Sequence, residues 1–258
     1  MKNKSNAAVF ELNHVEFAYP GQNMVLKDIN LVIGPGEGVS ILGANGCGKS
    51  TLLKMLTGLY YTSGGSLCAF GEPLTEAAFR DENTVKDYHR RVGFIFQEPD
   101  VQLFCSTVRE ELAFGLLQLN FPSETIEKRI GEVSGMLRIE GLLDKTPFRL
   151  SGGEKKKVAI ASVLILNPEV MILDEPTNGL DPRTRQWLTL LLEKLIGAGK
   201  TVVFSTHDLE LAAAVSGRSI LFSEAHEVVY DGATRPLLSN AELLKSVNLV
   251  SENYRGVE

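Results

Sequence analysis

Val39-Ser-Ile-Leu-Gly-Ala-Asn-Gly-Cys-Gly-Lys-Ser-Thr-Leu52 is the stretch on which the reading of this chain turns. Val39 to Leu42 is a short apolar, β-branched run, Gly43-x-x-x-x-Gly48-Lys49-Ser50 follows it, and Leu52, Leu53, Met55 and Leu56 then recur at helical spacing. Strand, glycine-rich loop and helix in that order form the context in which this pattern cradles phosphate. Gly43, Gly46 and Gly48 let the backbone turn tightly and aim successive N–H groups at an anion. The helix beginning near Lys49 adds its free N–H groups and positive end, Lys49 carries an ammonium to the β and γ phosphates, and the Ser50 hydroxyl is suited to Mg²⁺. The run Gly43, Ala44, Asn45, Gly46, Cys47, Gly48, Lys49, Ser50 and Thr51 is therefore expected to line a triphosphate. The competing reading, a glycine-rich surface turn, does not account for the flanking strand and helix.

The 258 residues, 44% of them apolar, suffice for one large or two modest cores. A net charge of −6, with basic and acidic residues mixed, gives no positive field for nucleic acid. No window of 18 uncharged apolar residues occurs, and Met-Lys-Asn-Lys-Ser-Asn-Ala-Ala lacks the apolar core of a signal peptide. A cytosolic chain that docks on a membrane protein is the expectation. Cys47, Cys68 and Cys105 form neither a disulfide framework nor a metal-ligand cluster. Cys47, beside the phosphate loop, is either a point of sensitivity to alkylation or a filler of small space.

Outward from the loop, Val9 to Phe17 alternates like a strand, Tyr19-Pro-Gly-Gln22 turns, and Met24 to Ile33 reads as two short segments split at Lys27-Asp28. Tyr19 is either a turn or core aromatic or a plate for a purine. Residues 72 to 90 read as an exposed loop with a helical piece, and Val92 to Phe96 as a buried strand ending at Gln97. From Asp100 to Ile165 the pattern turns helical. Thr107 with Glu110 caps one helix, and Ser123 opens another with Ile126, Ile130, Val133 and Leu137 on one face. Leu150-Ser-Gly-Gly-Glu154 caps a third, whose Lys155, Lys156 and Lys157 oppose the helix dipole and so call for an anionic partner surface. Val170 to Leu173 and Thr201 to Phe204 are further strands, and Pro182 to Ile196 a helix burying Trp187, Leu191 and Leu195. A short strand pair near Ile220 to Tyr230 and a polar tail, 231 to 258, complete the chain.

In open α/β sheets a ligand sits at the carboxyl ends of the strands, and three such ends here are polar: Gln97, Asp174-Glu175 and His207. A metal nucleotide needs a carboxylate for Mg²⁺, a base or polariser for attacking water and a group that senses the γ phosphate. Asp174 suits the metal, Glu175 the water, His207 the phosphate, and Gln97 both metal and water. His14, His89 and His226 are left as structural or surface residues.

Gly43 to Ser50, Gln97, Leu150-Ser-Gly-Gly-Glu154, Val170 to Pro176, Asn178-Gly-Leu-Asp181 and His207 together resemble the nucleotide-binding subunit of ATP-binding cassette transporters, over residues 9 to about 235. The resemblance implies an α/β P-loop nucleotide hydrolase core with an antiparallel β part and an inserted helical subdomain at about 100–165. It places the cassette at 6–235 and a short tail at 236–258. It implies ATP and Mg²⁺ as ligands, Tyr19 stacked on adenine, Gln97 on the loop that touches the membrane partner, and Ser151, Gly152, Gly153 and Glu154 as a signature that meets the nucleotide of a second, head-to-tail chain. The family usually has Gln where this chain has Glu154, and a carboxylate there repels phosphate unless it points away. Phe96-Gln-Glu-Pro-Asp-Val-Gln-Leu-Phe104, Thr107-Val-Arg-Glu-Glu-Leu-Ala-Phe-Gly115 and Tyr19-Pro-Gly are similar to the ATPases of energy-coupling-factor importers, above all the cobalt and nickel branch. Expected partners are a second copy or a homologous ATPase subunit and integral membrane subunits on the cytoplasmic side, with no nucleic acid and no direct binding of solute. Pro99 to Phe104, with Leu103 and Phe104, is the expected docking groove. A vitamin importer and a soluble single-cassette ATPase are the alternatives.

Overall fold

The computed structural model describes residues 8–251 and 253–254. The expected cassette start at residue 6, and residues 252 and 255–258 of the tail, lie outside the described residues. Alternating side chains make β1 (Phe10–Ala18) a strand with one buried face, Phe10, Leu12, Val15 and Phe17. The alternation slips between Leu12 and Val15, where His14 adopts φ 50°. Its partner β2 (Met24–Ile33) is one ten-residue strand rather than two segments. At the expected break Asp28 adopts φ 49° and holds His14 Nδ1 at 2.6 Å, so a bulge absorbs the irregularity and the ladder continues.

β3 (Gly38–Leu42) and α1 (Lys49–Leu56) open a second layer, whereas β4 (Gly64–Ala69) and β5 (Glu72–Pro73) return to the first. The first layer is an antiparallel sheet of order β2-β1-β4-β5. α2 (Glu82–Arg91), in the region expected to be mostly loop, is a ten-residue helix capped by Asp81, and its Tyr88 is buried with the hydroxyl donating to the Leu56 carbonyl. β6 (Val92–Ile95) leads into the helical part: α3 (Val108–Gln118), α4 (Ser123–Leu137) and α5 (Gly152–Leu164). Both expected caps form complete capping boxes, Thr107 with Glu110 and Ser151 with Glu154. Val108, Leu112, Leu116, Ile126, Ile130 and Val158 close the core between these helices.

β7 (Val170–Leu173), α6 (Pro182–Gly197), β8 (Thr201–Ser205), α7 (Leu209–Val215), β9 (Arg218–Phe222) and β10 (Val228–Ala233) complete a six-stranded sheet of order β10-β9-β3-β8-β7-β6. Its pairs are parallel except β10 with β9. β3, β7 and β8 are buried along their whole lengths, which is why they read as continuous apolar runs rather than as alternation. On α6 Leu188, Leu191 and Leu192 are the buried apolar residues; Trp187 and Leu195 lie at the margin of the core.

Two expectations need correction. The stretch from 231 is not a polar tail: β10 runs to Ala233, and α8 (Thr234–Ser239) and α9 (Ala241–Ser246) bury Leu237, Leu238, Leu244 and Val247 with Leu42, Ala212 and Leu221. The apolar residues are sparse but fall on one side of two short helices. The lysines of α5 do not require an anionic partner surface, because each finds a contact inside the chain. Lys155 Nζ meets Asp100 Oδ1 at 2.5 Å, Lys156 Nζ donates to backbone carbonyls, and Lys157 Nζ lies 5.0 Å from the centroid of the Trp187 ring.

Candidate active site

The loop leaving β3 has its shape because two glycines stand where no side chain fits. Gly43 has φ 148°, and a Cβ there would lie 2.7 Å from Cys47 Sγ and 2.9 Å from the Phe222 carbonyl; Gly48, at φ 112°, would meet the Val25 carbonyl at 2.6 Å. The first hydrogen bond at the start of α1 runs from Leu52 N to the Gly48 carbonyl, so the N–H groups of the preceding turn face the loop's concavity. Lys49 is buried, with Nζ donating to the Gly43 carbonyl at 2.8 Å and the Ala44 carbonyl at 3.1 Å. Cys47 is buried too, and burial pushes its thiol pKa up, so it fills space beneath the loop and is a poor thiolate.

Two carboxylates at the end of β7 complete the floor. Asp174 Oδ1 accepts from Ser50 Oγ at 2.9 Å and from Ser205 Oγ at 2.6 Å. Glu175, at φ 40°, donates its backbone N–H to Ser205 Oγ at 2.9 Å. That left-handed backbone turns the side chain back under the loop. Glu175 Oε2 lies 2.8 Å from His207 Nδ1, whereas Oε1 lies 3.7 Å from Lys49 Nζ and is a buried oxygen with no hydrogen bond. His207 is 59% exposed on its side chain, so one face of the imidazole is free to meet a ligand. Ser205, at the end of β8, is the residue sequence reasoning passed over; it ties the Asp174 carboxylate and the Glu175 backbone to β8.

A cavity of about 640 Å³ unites Tyr19, Gly48, Lys49, Ser50, Gln97, Glu175 and His207, with Asn45, Gly46 and Thr51 on its wall and Asn178 as a residue not assigned to it from sequence. Tyr19 donates to or accepts from Thr51 Oγ1 at 3.0 Å and packs edge-on against Phe17 and Tyr60, so it serves both turn and cavity. Ser151, Gly153 and Glu154 lie in a different cleft, of about 1040 Å³, formed with α6. Glu154 Oε2 accepts from Ser151 N and Oγ, both at 2.8 Å, which draws the carboxylate back onto its own cap and holds its pKa below the usual range. In the expected docking segment Leu103 is core, 3% exposed, while Phe104 is 60% exposed and stacks edge-on with Phe114. Val101 and Leu117 are exposed as well.

Parallel sheet, phosphate loop, buried lysine and paired carboxylates at adjoining strand ends define a P-loop nucleotide-hydrolysing protein. The family model described as ABC transporter matches residues 26–178. The chain is 47% identical over 244 residues to the nickel import ATP-binding protein NikO of Rhodobacter capsulatus, covering 93% of this chain and 95% of that one. Its fold superposes with TM-score 0.81 and 32% identity on cbiO1 from Clostridium perfringens, described as part of the ABC transporter complex cbiONQ, covering 94% and 95% of the two chains. A dimeric post-hydrolysis state of the ATP-binding cassette MJ0796 with ADP and Pi gives TM-score 0.78 and 31% identity, covering 88% of this chain and 99% of that one. The chain belongs to the ABC transporter family, as one of its ATP-hydrolysing subunits. Membership implies ATP and Mg²⁺ as ligands. Among the described residues no helix is long and apolar enough to cross a membrane.

Proposed function

We propose that this chain, paired head to tail with a second copy or a homologous ATPase subunit, hydrolyses MgATP to power import of nickel or cobalt through an integral membrane partner on whose cytoplasmic face it docks. The observation that carries the pairing is the separation of the two clefts. Lys49 and Glu175 stand in one and the Ser151 turn in the other, so a nucleotide on the phosphate loop meets a signature turn only from another chain. The dimeric MJ0796 cassette supports that reading, and NikO and cbiO1 support the solute and the membrane complex. Val101, Phe104, Phe114 and Leu117 supply an apolar docking face. Cassette limits of 6–235, with the helical insertion at about 100–165, belong to the same proposal.

The residues fit the metal nucleotide. Ser50 Oγ and Asp174 Oδ1 are hard oxygen donors 2.9 Å apart, Ser50 and Gln97 line the cavity together, and Asp174 lies behind Ser50. Mg²⁺, when bound, neutralises charge on the β and γ phosphates and polarises the phosphoryl group. Phosphate entering the loop offers Lys49 oxygens in place of the Gly43 and Ala44 carbonyls. Glu175 Oε1, which has no hydrogen bond in this cavity wall, accepts the proton of the attacking water, and His207 holds Oε2 and reaches the γ phosphate with its exposed edge. Tyr19 stacks on the adenine, and Gly152, Gly153 and Glu154 shape the turn on which Ser151 meets the partner's nucleotide.

Purification from a detergent extract of cells that express the chain at natural level, with nickel and cobalt uptake measured in cells carrying Lys49→Ala, tests the proposal. An integral membrane subunit that co-purifies, and uptake that falls in the variant, are expected. A chain recovered without membrane partners, with uptake intact, overturns transport and leaves the ATPase.

A further inference from the structure

Lys156 is 1% exposed. Among the described residues it has no ion-pair partner, and Nζ donates instead to the carbonyls of Phe96 at 3.2 Å and Gln97 at 2.9 Å. An ammonium this buried, with no direct ion pair and only the more distant charge of Asp174 to offset its desolvation, is costly to keep, and a backbone carbonyl needs no charge to be satisfied, so packing alone does not call for lysine here. The contact belongs to a wider clasp. Lys155 Nζ reaches Asp100, Gln102 Oε1 accepts from Phe96 N at 3.3 Å, and Gln102 Nε2 donates to the Ala159 carbonyl at 2.8 Å. The Lys155, Lys156 and Gln102 Nε2 contacts join the segment 96–102 to α5, while the Gln102 Oε1 contact closes the segment on itself; α5 is capped by Ser151, about 7.5 Å of helix rise from Lys156.

We infer that Lys156 is a positioning residue for ATP hydrolysis: it fastens the backbone of Gln97 to the helix that starts at Ser151, so that a ligand engaged at that turn and the Gln97 side chain at the nucleotide are set together. The inference rests on the reading of Gln97 as part of the hydrolytic site. A rigid helix one and a half turns long transmits displacement with little loss, and the carbonyl being held is that of the acting residue itself. Without the clasp Gln97 samples positions away from the cavity, and a displacement of about 1 Å suffices to cost up to about 10²-fold in rate. Nucleotide bound by the phosphate loop does not need the clasp, because the polar partners of Lys49 and Ser50 are Gly43, Ala44, Asp174 and Glu175, none of them in α5.

The test is a double-mutant cycle on MgATP hydrolysis by the full chain in its assembled complex, using Gln97→Ala, Lys156→Met and both together, with ATP affinity and melting temperature measured on each. Lys156→Met is expected to lower kcat by a factor on the order of 10 to 10² with little change in KM, and to add almost nothing on the Gln97→Ala background. Lys156→Arg, which keeps the donors, should recover part of kcat. If Lys156→Met gives too little folded protein, Lys156→Leu replaces it, and Asp100→Ala, an exposed change that removes only the neighbouring Lys155 contact, is the milder perturbation; each must show the same loss of effect when Gln97 is absent. Losses that multiply in the double variant, or a Lys156→Met kcat equal to the unmodified chain, overturn the inference. A Gln97→Ala variant of unchanged kcat overturns both it and the role of Gln97, whereas a slowed Gln97→Ala with multiplicative losses overturns only Lys156.

Discussion

Replacing Glu175 by Gln changes an oxygen to an amide nitrogen, keeps the volume, and removes both the charge and the basic atom from the centre of the cavity. Glu175 Oε1 lies 3.7 Å from Lys49 Nζ. At an effective dielectric of about 20 that pair has a gross attraction of about 4.5 kcal/mol, part of it offset by the desolvation of two buried groups. In the unliganded chain this attraction competes with phosphate for the lysine. In Glu175→Gln the competition ends, so ATP affinity should hold or rise. Hydrolysis should fall by a factor on the order of 10² or more, at least about 2.7 kcal/mol of lost transition-state stabilisation, because the amide cannot take the proton of water. Phosphate release at saturating MgATP measures the first quantity, and equilibrium binding of a fluorescent ATP analogue the second. Bound but uncleaved ATP should then hold two chains together by mass action, so molecular mass in solution should double with MgATP and return to the monomer value when Ser151→Arg is added. A variant that hydrolyses ATP at near the original rate would refute the assignment of the base. So would one that loses ATP binding along with hydrolysis, since the charge pair would then be holding the site open.

Leu103→Ala should lower stability by about 2 to 5 kcal/mol, read from the denaturation midpoint. Phe104→Ala should leave stability within about 0.5 kcal/mol and weaken assembly with the membrane subunit; the opposite pattern would place docking elsewhere. The Glu154 carboxyl sits below its usual range because Ser151 donates to it, so its cap contribution is complete above the ordinary carboxylate pKa of about 4.3 and is lost as pH falls through the lowered folded value. The melting-temperature gap between the unmodified chain and Glu154→Ala should accordingly be constant at neutral pH and close in acid, while Glu154→Gln keeps most of the cap. Titration calorimetry of the chain alone with Ni²⁺ or Co²⁺, without nucleotide, should show no tight 1:1 binding, since the solute is handled by the membrane partner; such binding would contradict that division of labour.

The phosphate loop, the strands β3, β7 and β8, the two capping boxes and the order of the polar strand ends were legible along the chain. Each is a local pattern: glycines where a Cβ collides, apolar runs where both faces of a sheet are covered, a hydroxyl three residues before a carboxylate. The strand ends were legible because a buried run that stops at polar residues is meeting a cavity or solvent, and Gln97, Glu175 and His207 did come to one cavity. What was not legible depends on pairing. Ser205 became visible only once β8 lay beside β7, because its role is to hold the Asp174 carboxylate and the Glu175 backbone at the end of another strand. The bulge at Asp28 looked like a strand break, since an irregular residue in sequence does not say whether its neighbour carries a matching one.

By itself the sequence determined the class of chemistry and the order of the elements that carry the site, because both rest on contacts between residues close in the chain. The tertiary structure decided which of the charged groups are free to act. Lys155, Lys156 and Lys157 read as a basic face and are spent on Asp100, on the carbonyls of Phe96 and Gln97, and on Trp187. Leu103 and Phe104 are neighbours in sequence, yet one is core and the other exposed. Glu175 keeps one oxygen without a hydrogen bond while Glu154 is tied back to its own cap. Burial and charge compensation are set by what packs against a side chain from elsewhere in the fold, and no local pattern carries that information.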